Sequence, residues 1–209
     1  MTQVRDAKKS KKGIINSATK LFAKHGIDGV SVDLIAKDAN INKAMIYYYF
    51  KNKATLYETA IENLLDNIYK TILQEANRCT KPRDELKAFI ITFAKFAKKN
   101  TFLSSLMLQE LSSGGKNLPD DMFMGLKKLF LLLSNILKRG RDKGCFKEVK
   151  PMIIHFMITG VINLFITTKE MRKNISNEFG DDVCSSCDEI EIANDLYEDI
   201  ITIIGNRYT

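Results

Sequence analysis

Apolar residues recur at intervals of three and four positions along most of the chain, which is the spacing of one face of an α-helix. The first such run ends before Gly26, a residue suited to the left-handed C-cap of a helix. It comprises Ile14, Ala18, Leu21, Phe22 and His25. No alternating stretch is long enough to predict a strand, so the pattern predicts an all-α protein.

Two short helices separated by a tight turn follow the first one. Ser31 is suited to cap the N-terminus of the earlier helix and Asn42 that of the later one, in which Ile46 and Phe50 lie one turn apart. Asn40 suits the left-handed conformation that the turn requires. A helix, a turn of about three residues and a second helix form a helix-turn-helix, whose second helix enters the major groove of DNA.

Longer helical patterns fill the chain beyond residue 53. They run over about 53–78, 82–100, 102–110, 126–144, 151–171 and 189–205. Glycines and a proline interrupt the pattern between 112 and 120. We therefore predict a helix-turn-helix DNA-binding domain over 1–53 and a helical effector-binding and dimerisation domain over 54–209.

The segment PMIIHFMITGVINLFITT, from Pro151 to Thr168, contains no charged residue. Its 18 residues are at the short limit for a membrane span, but five of them are polar and the segment begins with proline. A helix that is buried on most of its circumference fits better. The segment therefore indicates a subunit interface or the central helix of a bundle.

The net charge of +7 is confined to the N-terminal quarter of the chain. Residues 1–53 contain Arg5 and ten lysines but only four acidic residues, whereas the remaining residues contain 21 basic and 21 acidic groups. A basic module on a neutral body is typical of proteins that bind a polyanion, because neutralised phosphates release counterions. A lysine-rich surface without a ligand has the same composition, so charge alone leaves both interpretations open.

The first residues, MTQVRDAKKSKK, are polar and basic and include no apolar core of a secretory signal. We expect the protein in the cytoplasm. We also find no spacing of Ser, His and Asp, no paired carboxylates and no glycine-rich phosphate loop, and we therefore predict neither an enzyme nor a cofactor.

The segment NINKAMIYYYFKNK, residues 40–53, places aromatic and basic residues on one short helix. If Ile46 and Phe50 face the core, the exposed arc carries Lys43, Ala44, Met45, Tyr47 and Tyr48, with Tyr49 towards one edge. A tyrosine can pack its ring on sugar or a thymine methyl group while its hydroxyl donates to a phosphate oxygen, and a lysine can reach a phosphate or a guanine edge. The arc therefore has the chemistry of a DNA-reading surface.

The segment from about Lys9 to Leu56 resembles the TetR family of bacterial one-component transcriptional regulators. The stretch IINSATKLFAKHGIDGVSVDLIAKDANINKAMIYYYFKNKATL follows the family pattern without a gap. In that pattern a first helix ends in LF and then a glycine, a Ser or Thr precedes xxIAxxAG, and S-K-G-x-x-Y-x-x-F-x-x-K follows. The departures are Asn40 for Gly, Asn42 for Ser, Ala44 for Gly and Ile46 for Leu. The first two preserve capping chemistry, and Ala44 leaves slightly less room against DNA.

The resemblance implies an all-helical homodimer of about nine helices whose three N-terminal helices bind a palindromic operator. In such proteins the larger C-terminal domain encloses a small-molecule pocket and dimerises through its last two long helices, here 151–171 and 189–205. By position, the implied DNA contacts are Ser31 and Lys53 to phosphates, Lys43, Ala44 and Met45 to base edges, and Tyr47, Tyr48 and Tyr49 to backbone or bases.

The combined prediction is a ligand-responsive DNA-binding regulator, in particular a repressor that releases its operator when a small apolar effector binds the C-terminal domain. Candidate effector contacts are aromatic and methionine positions with two polar residues on apolar helices. They are Phe89, Phe93, Phe96, Met107, Glu110, Met122, Phe123 and His155. Each of these positions also fits an ordinary core or interface residue.

Cys184 and Cys187 form a CxxC motif, which can be a redox pair or half of a metal site. No second CxxC is present, and the surrounding acidic residues are expected to raise the thiol pKa values. A reduced, inert pair is therefore the favoured interpretation, and a redox- or metal-responsive regulator is the alternative. We predict no resident metal.

Overall fold

The computed structural model describes residues 2–112, 114, 119–179 and 187–206, and the prediction of an all-α fold is confirmed. Within these ranges the chain forms ten helices. They are α1 (Thr2–His25), α2 (Val32–Asp38), α3 (Lys43–Phe50), α4 (Lys53–Ala76), α5 (Pro82–Lys99), α6 (Thr101–Ser112), α7 (Asp120–Asp142), α8 (Pro151–Thr167), α9 (Lys169–Phe179) and α10 (Glu189–Ile204).

The predicted helix over 151–171 is wrong at its end, because the structure divides the segment into α8 and α9 with a bend of 70°. The hydroxyl of Thr168 donates to the carbonyl of Leu164 at 2.6 Å. The guanidinium of Arg172 donates to the carbonyl of Phe165 at 2.8 Å and lies over its ring. The Arg172 bond serves a carbonyl in the last turn of α8, where helices leave carbonyls without an intrahelical partner, whereas that of Leu164 also accepts from the amide of Thr168 at 2.9 Å.

Among the described helices, none is by itself long and apolar enough to cross a membrane. Only α8 and α9 taken together reach the required length and composition, as a bent pair.

One compact unit comprises Met1–Asn67 and Leu118–Gly125. Its core combines apolar side chains from α1, α2, α3 and the first half of α4, and the ring of Phe22 meets that of Tyr57 edge-on with centroids 5.2 Å apart. The central residues of this core are fully or almost fully buried: Ile14, Ala18, Phe22, Ile35, Ile46, Phe50, Leu56 and Ala60. This core fixes the orientation of α3.

The second unit comprises Ile68–Asn117 and Leu126–Thr209. In it α5 packs against α8 and α10, and α6 packs against α8. The end of α10 and the chain after it are tied to the segment before α8, since the amide of Lys147 donates to the carbonyl of Ile204 at 2.7 Å and that of Asn206 to the carbonyl of Cys145 at 3.1 Å. Helix α4 contributes residues to both units, and the predicted domain boundary after residue 53 stays a prediction.

Candidate DNA-binding site

The two predicted N-caps of the helix-turn-helix are confirmed. The side chain of Ser31 accepts a hydrogen bond from the amide of Leu34 at 3.1 Å and so caps α2. The side chain of Asn42 accepts one from the amide of Ala44 at 2.8 Å and caps α3. Each bond satisfies one of the amides that the first turn of a helix leaves without an intrahelical partner.

The turn between α2 and α3 uses the left-handed conformation that the sequence predicts for Asn40, whose φ is 52°. The amide of Asn40 donates to the carbonyl of Lys37 at 3.2 Å, and that of Ile41 donates to Ala36 at 3.0 Å. These two bonds close the end of α2 in the manner of a Schellman motif. Gly26 ends α1 with a φ of 71°, again as predicted.

Helix α3 divides into a buried and an exposed face. Ile46 and Phe50 are buried in the core of the first unit. On the opposite side, Tyr47 is 45% and Tyr48 80% exposed, whereas Tyr49 is half-buried and packs against the core.

Two further candidates, Lys43 and Ala44, lie exposed in the first turn of α3, and Met45 is half-buried. Aromatic rings that a rigid helix holds in solvent can pack against the sugars and bases of DNA. The predicted exposure is confirmed for Lys43, Ala44, Tyr47 and Tyr48 but not for Met45, and the contacts of all five with DNA stay a prediction.

Lys43 forms an ion pair with Asp33 of α2, with 2.7 Å between the ammonium nitrogen and the carboxylate oxygen. This hydrogen bond is the main reason that the pKa of Lys43 is raised, so the side chain stays protonated. Both side chains are exposed, and a neighbouring phosphate can compete for the same ammonium group. The ion pair thus holds the cation over the N-terminal end of α3.

Lys53 is half-buried, and its ammonium group donates to the carbonyl of Ile27 at 2.9 Å and to that of Val30 at 3.3 Å. Both carbonyls belong to the loop between α1 and α2, immediately before the α2 cap Ser31. Sequence reasoning missed this role, because a lysine in a basic segment carries no signal for a carbonyl more than twenty residues away. A phosphate contact by Lys53 stays a prediction.

Lys51 and Asn52 join α3 to α4 and were not among the predicted site residues. Lys51 is exposed and has a φ of 57°, and the side chain of Asn52 accepts a hydrogen bond from the amide of Thr55 at 2.8 Å. An asparagine directly before a helical pattern is an N-cap signal that could have identified Asn52. Lys51 presents a cation at the C-terminal end of α3.

The eight effector candidates are divided between the two units. Met122 and Phe123 belong to the first unit, where Met122 is buried and Phe123 is 57% exposed. Phe89 is buried in the core of the second unit, Phe93, Phe96 and Met107 are half-buried there, and the side chain of Glu110 lies outside the described part of the structure. Their roles in effector binding stay predictions.

His155 is largely enclosed on α8, and its ring meets that of Phe130 edge-on with centroids 5.6 Å apart. Burial lowers the pKa of this histidine, so the imidazole is neutral at neutral pH. This environment suits either an apolar ligand contact or an ordinary core position.

Two grooves are formed by described residues of the second unit. The larger, of about 610 Å³, runs between α4 and α5 and includes the effector candidate Phe96. The smaller, of about 500 Å³, lies between α4 and α7 and includes the ion pair of Glu85 and Arg139. Both volumes lie in the usual range for small-molecule sites.

The described cysteines include one disulfide-bonded residue, Cys187, and two free thiols, Cys79 and Cys145. Cys187 is disulfide-bonded, so its predicted reduced state is wrong, and Cys184 lies outside the described residues. Cys79 is a free thiol whose pKa is raised by burial and then by neighbouring carboxylates. Within the described ranges no group of three or more His, Cys, Asp or Glu side chains could hold a metal ion.

Two family models match the chain. Residues 14–60 match the model of bacterial regulatory proteins of the tetR family, and residues 82–188 match that of the tetracyclin repressor-like C-terminal domain. The chain is also similar to the biofilm operon icaADBC HTH-type negative transcriptional regulator IcaR of Staphylococcus aureus strain Newman. The two are 26% identical over 167 residues, which cover 80% of this chain and 86% of the relative.

Solved structures share the fold. The transcriptional regulator FadR from Bacillus subtilis, solved in complex with stearoyl-CoA, has a TM-score of 0.70 and 21% identity, covering 92% of this chain and 98% of that one. The fatty acid degradation regulator FadR from Bacillus halodurans has a TM-score of 0.69 and 23% identity, covering 90% and 93%. The arrangement of helices is therefore one that transcriptional regulators use.

Proposed function

Because this chain belongs to the TetR family of bacterial regulatory proteins, we propose that it is a repressor that binds a palindromic DNA operator through α3 and releases it when a small effector binds the second unit. The observation that carries the proposal is the division of α3 into a face anchored by Ile46 and Phe50 and an exposed face with Lys43, Tyr47 and Tyr48. We place this activity in the cytoplasm, where bacterial DNA lies.

The dimensions of α3 suit the major groove. An α-helix has a diameter of about 10–12 Å with its side chains, and the major groove, about 12 Å wide, can therefore admit it. Ser31 at the start of α2 and Lys53 at the start of α4 are the proposed phosphate contacts, and residues 43–45 the proposed base contacts. Tyr47 and Tyr48 are the proposed contacts to the DNA backbone or to base edges, and Tyr49, at the edge of the exposed arc, is a further proposed contact.

Charge supports this assignment. The surplus of +7 falls within residues 1–53, the predicted DNA-binding domain, so this segment approaches phosphates with a favourable field while the rest of the chain is neutral. Displaced counterions supply affinity that does not depend on sequence, and the α3 contacts add the sequence preference.

We propose that α8 forms the seam of a homodimer. Its outward face is entirely apolar, since Ile153 and Phe156 are exposed by 55% and 53% and Val161 and Leu164 by 40% and 51%. Gly160 lies among them, and a side chain added there would meet open space within this protomer. Such a continuous apolar face on a charge-free helix is typical of a surface covered by another subunit.

The proposed regulation follows from the geometry of a two-fold dimer. Two recognition helices can enter successive major grooves only when they lie about one helical turn, roughly 34 Å, apart. An effector that binds more tightly to a conformation with another spacing lowers operator affinity, typically by about 5- to 150-fold. Helix α4 contributes to both units and is the proposed mechanical link. The fold of FadR holds a ligand with a long apolar chain, which supports an apolar effector for this fold.

Selection from a random duplex library tests the DNA-binding half of the proposal. The wild-type protein is compared with a Lys43→Ala, Tyr47→Phe variant and with a Lys127→Ala, Tyr69→Phe control, which makes the same changes in the second unit. We expect a palindromic motif with the wild type and control and its loss in the α3 variant. Salt-sensitive binding without a sequence preference, equal in all three proteins, would contradict the proposal.

A further inference from the structure

The groove between α4 and α5 combines an apolar floor with a cationic end. Ile68 of α4 and Ala88, Ile91 and Phe96 of α5 supply the apolar surface. Lys95 and Lys99 line the end of the groove nearest the C-terminus of α5. The residues of α5 that line the groove extend from 84 to 99, which corresponds to about 22 Å along the helix. The groove is therefore long enough for an extended chain.

The charges along the groove are distributed unevenly. Glu75 and Asp84 lie at the end opposite the lysine pair, and Lys87 between them and the pair has its ammonium group 5.1 Å from the centre of the Tyr197 ring. The acidic end of the groove thus has a cation of its own.

At the other end of the groove, the charges of Lys95 and Lys99 are not balanced by an acidic residue of the lining. They stand one turn apart on one face of α5, where like charges repel each other. Their neighbour Lys98 pairs with Glu189 at 2.7 Å, whereas neither Lys95 nor Lys99 forms an ion pair with any residue in the described ranges. Two adjacent cations beside the half-buried apolar side chains of Ala88, Ile91 and Phe96 are complementary to an anion attached to an apolar chain.

We infer that this groove binds an amphiphile with a single apolar chain and an anionic head group, carboxylate or phosphate. Lys95 and Lys99 hold the head group, and the chain runs along Ile91 and Ala88 towards the acidic end. The role of this ligand as the effector rests on the proposed repressor function.

Isothermal titration calorimetry without DNA tests the site, with decanoate, decyl phosphate and decanol as probes. A Lys95→Gln, Lys99→Gln variant removes both cations, and a Lys127→Gln, Lys169→Gln control removes two exposed lysines of the same unit outside the groove. We expect the anionic probes to bind the groove variant about tenfold more weakly than they bind the wild type and control. Whichever anion binds more tightly identifies the head group.

The apolar half of the site has its own variant. Ala88→Trp fills the groove with a bulky ring, and we expect it to weaken binding of both anions while leaving the two lysines in place. Decanol binding as tightly as decanoate, or equal affinities in the groove variant and the control, would overturn the inference. So would the absence of binding to the wild type.

A fluorescence anisotropy titration with the selected operator, on the same preparations, separates this inference from the proposed function. A protein that binds its operator but neither anion would refute the anion site and leave the repressor proposal in place. A protein that binds decanoate through Lys95 and Lys99 but no operator would support the site and refute the repressor proposal.

Discussion

At the scale of single residues, Asn40 shows how backbone conformation selects a side chain. Its positive φ of 52° places a residue with a Cβ atom where only glycine is free of strain. We expect Asn40→Ala to lower the free energy of unfolding by about 1 kcal/mol and Asn40→Gly to leave it nearly unchanged. Urea denaturation of both variants measures the difference. Asn16→Ala, at an exposed helical position in α1, is the control and is expected to be neutral or slightly stabilising.

Lys53 is expected to act on stability through the loop before α2. Lys53→Met keeps the aliphatic length but removes the ammonium donor from the carbonyls of Ile27 and Val30, of which the first keeps only the 3.5 Å bond from the amide of Val30, and this loss costs about 1–3 kcal/mol. Chemical denaturation measures the loss, and hydrogen exchange locates it in residues 26–31. Lys51→Met, at an exposed lysine nearby, is the control. Equal stability of the two variants would show that the carbonyl contacts contribute little.

His155 should make stability depend on pH. Burial lowers the pKa of His155 in the folded protein below its ordinary value of about 6.5, so the unfolded chain takes up the proton first. Neutral His155 therefore makes its full contribution to the free energy of unfolding above the unfolded pKa of about 6.5. That contribution declines as the pH falls from the unfolded pKa towards the folded pKa. Replacing His155 by Phe is expected to flatten this decline in urea denaturation between pH 7 and pH 5. His25→Phe replaces the chain's other histidine, and an equal flattening there would contradict the assignment.

Local interactions were predictable from the sequence, and distant ones were not. The caps Ser31 and Asn42 bond to amides two or three residues away, and the left-handed conformation of Asn40 is set by the turn in which it lies. The hydrogen bonds of Lys53 join residues brought together only by folding of the first unit. The contact of Lys43 with Asp33 likewise depends on how α2 and α3 cross.

At the scale of elements, periodicity located the helices but failed where a helix has few apolar residues. Helix α9, KEMRKNISNEF, has only three apolar side chains, and although Met171, Ile175 and Phe179 follow the i, i+4, i+8 spacing of one helical face, so short a run was not predicted as a separate helix. The bend before it depends on side-chain bonds to the last carbonyls of α8, which hydrophobic spacing does not encode. In contrast, the apolar composition of α8 predicted a buried or interface helix, and its exposed apolar face agrees with the interface.

The exposed face of α8 is expected to control the oligomeric state. Leu164→Asp places a charge within the proposed seam, where it would be buried without a partner, and the dimer should dissociate into monomers. Sedimentation velocity measures the change. Leu131→Asp alters a similarly exposed leucine on α7 and is the control. If the dimer persisted in the Leu164 variant but was lost in the Leu131 variant, the interface would lie on α7 and not on α8.

At the scale of the whole molecule, the segregation of charge and the proposed dimer make a joint prediction about operator binding. Each protomer brings the same basic module, so a dimer should release about twice as many counterions as a monomer. The slope of log K against log salt concentration is therefore expected to be about twice as steep for the wild type as for the monomeric Leu164→Asp variant. Anisotropy titrations of a full operator at several salt concentrations give both slopes, with Leu131→Asp controlling for the added charge. Equal slopes in all three proteins would mean that one protomer makes all the phosphate contacts, and the two-fold symmetric complex would have to be abandoned.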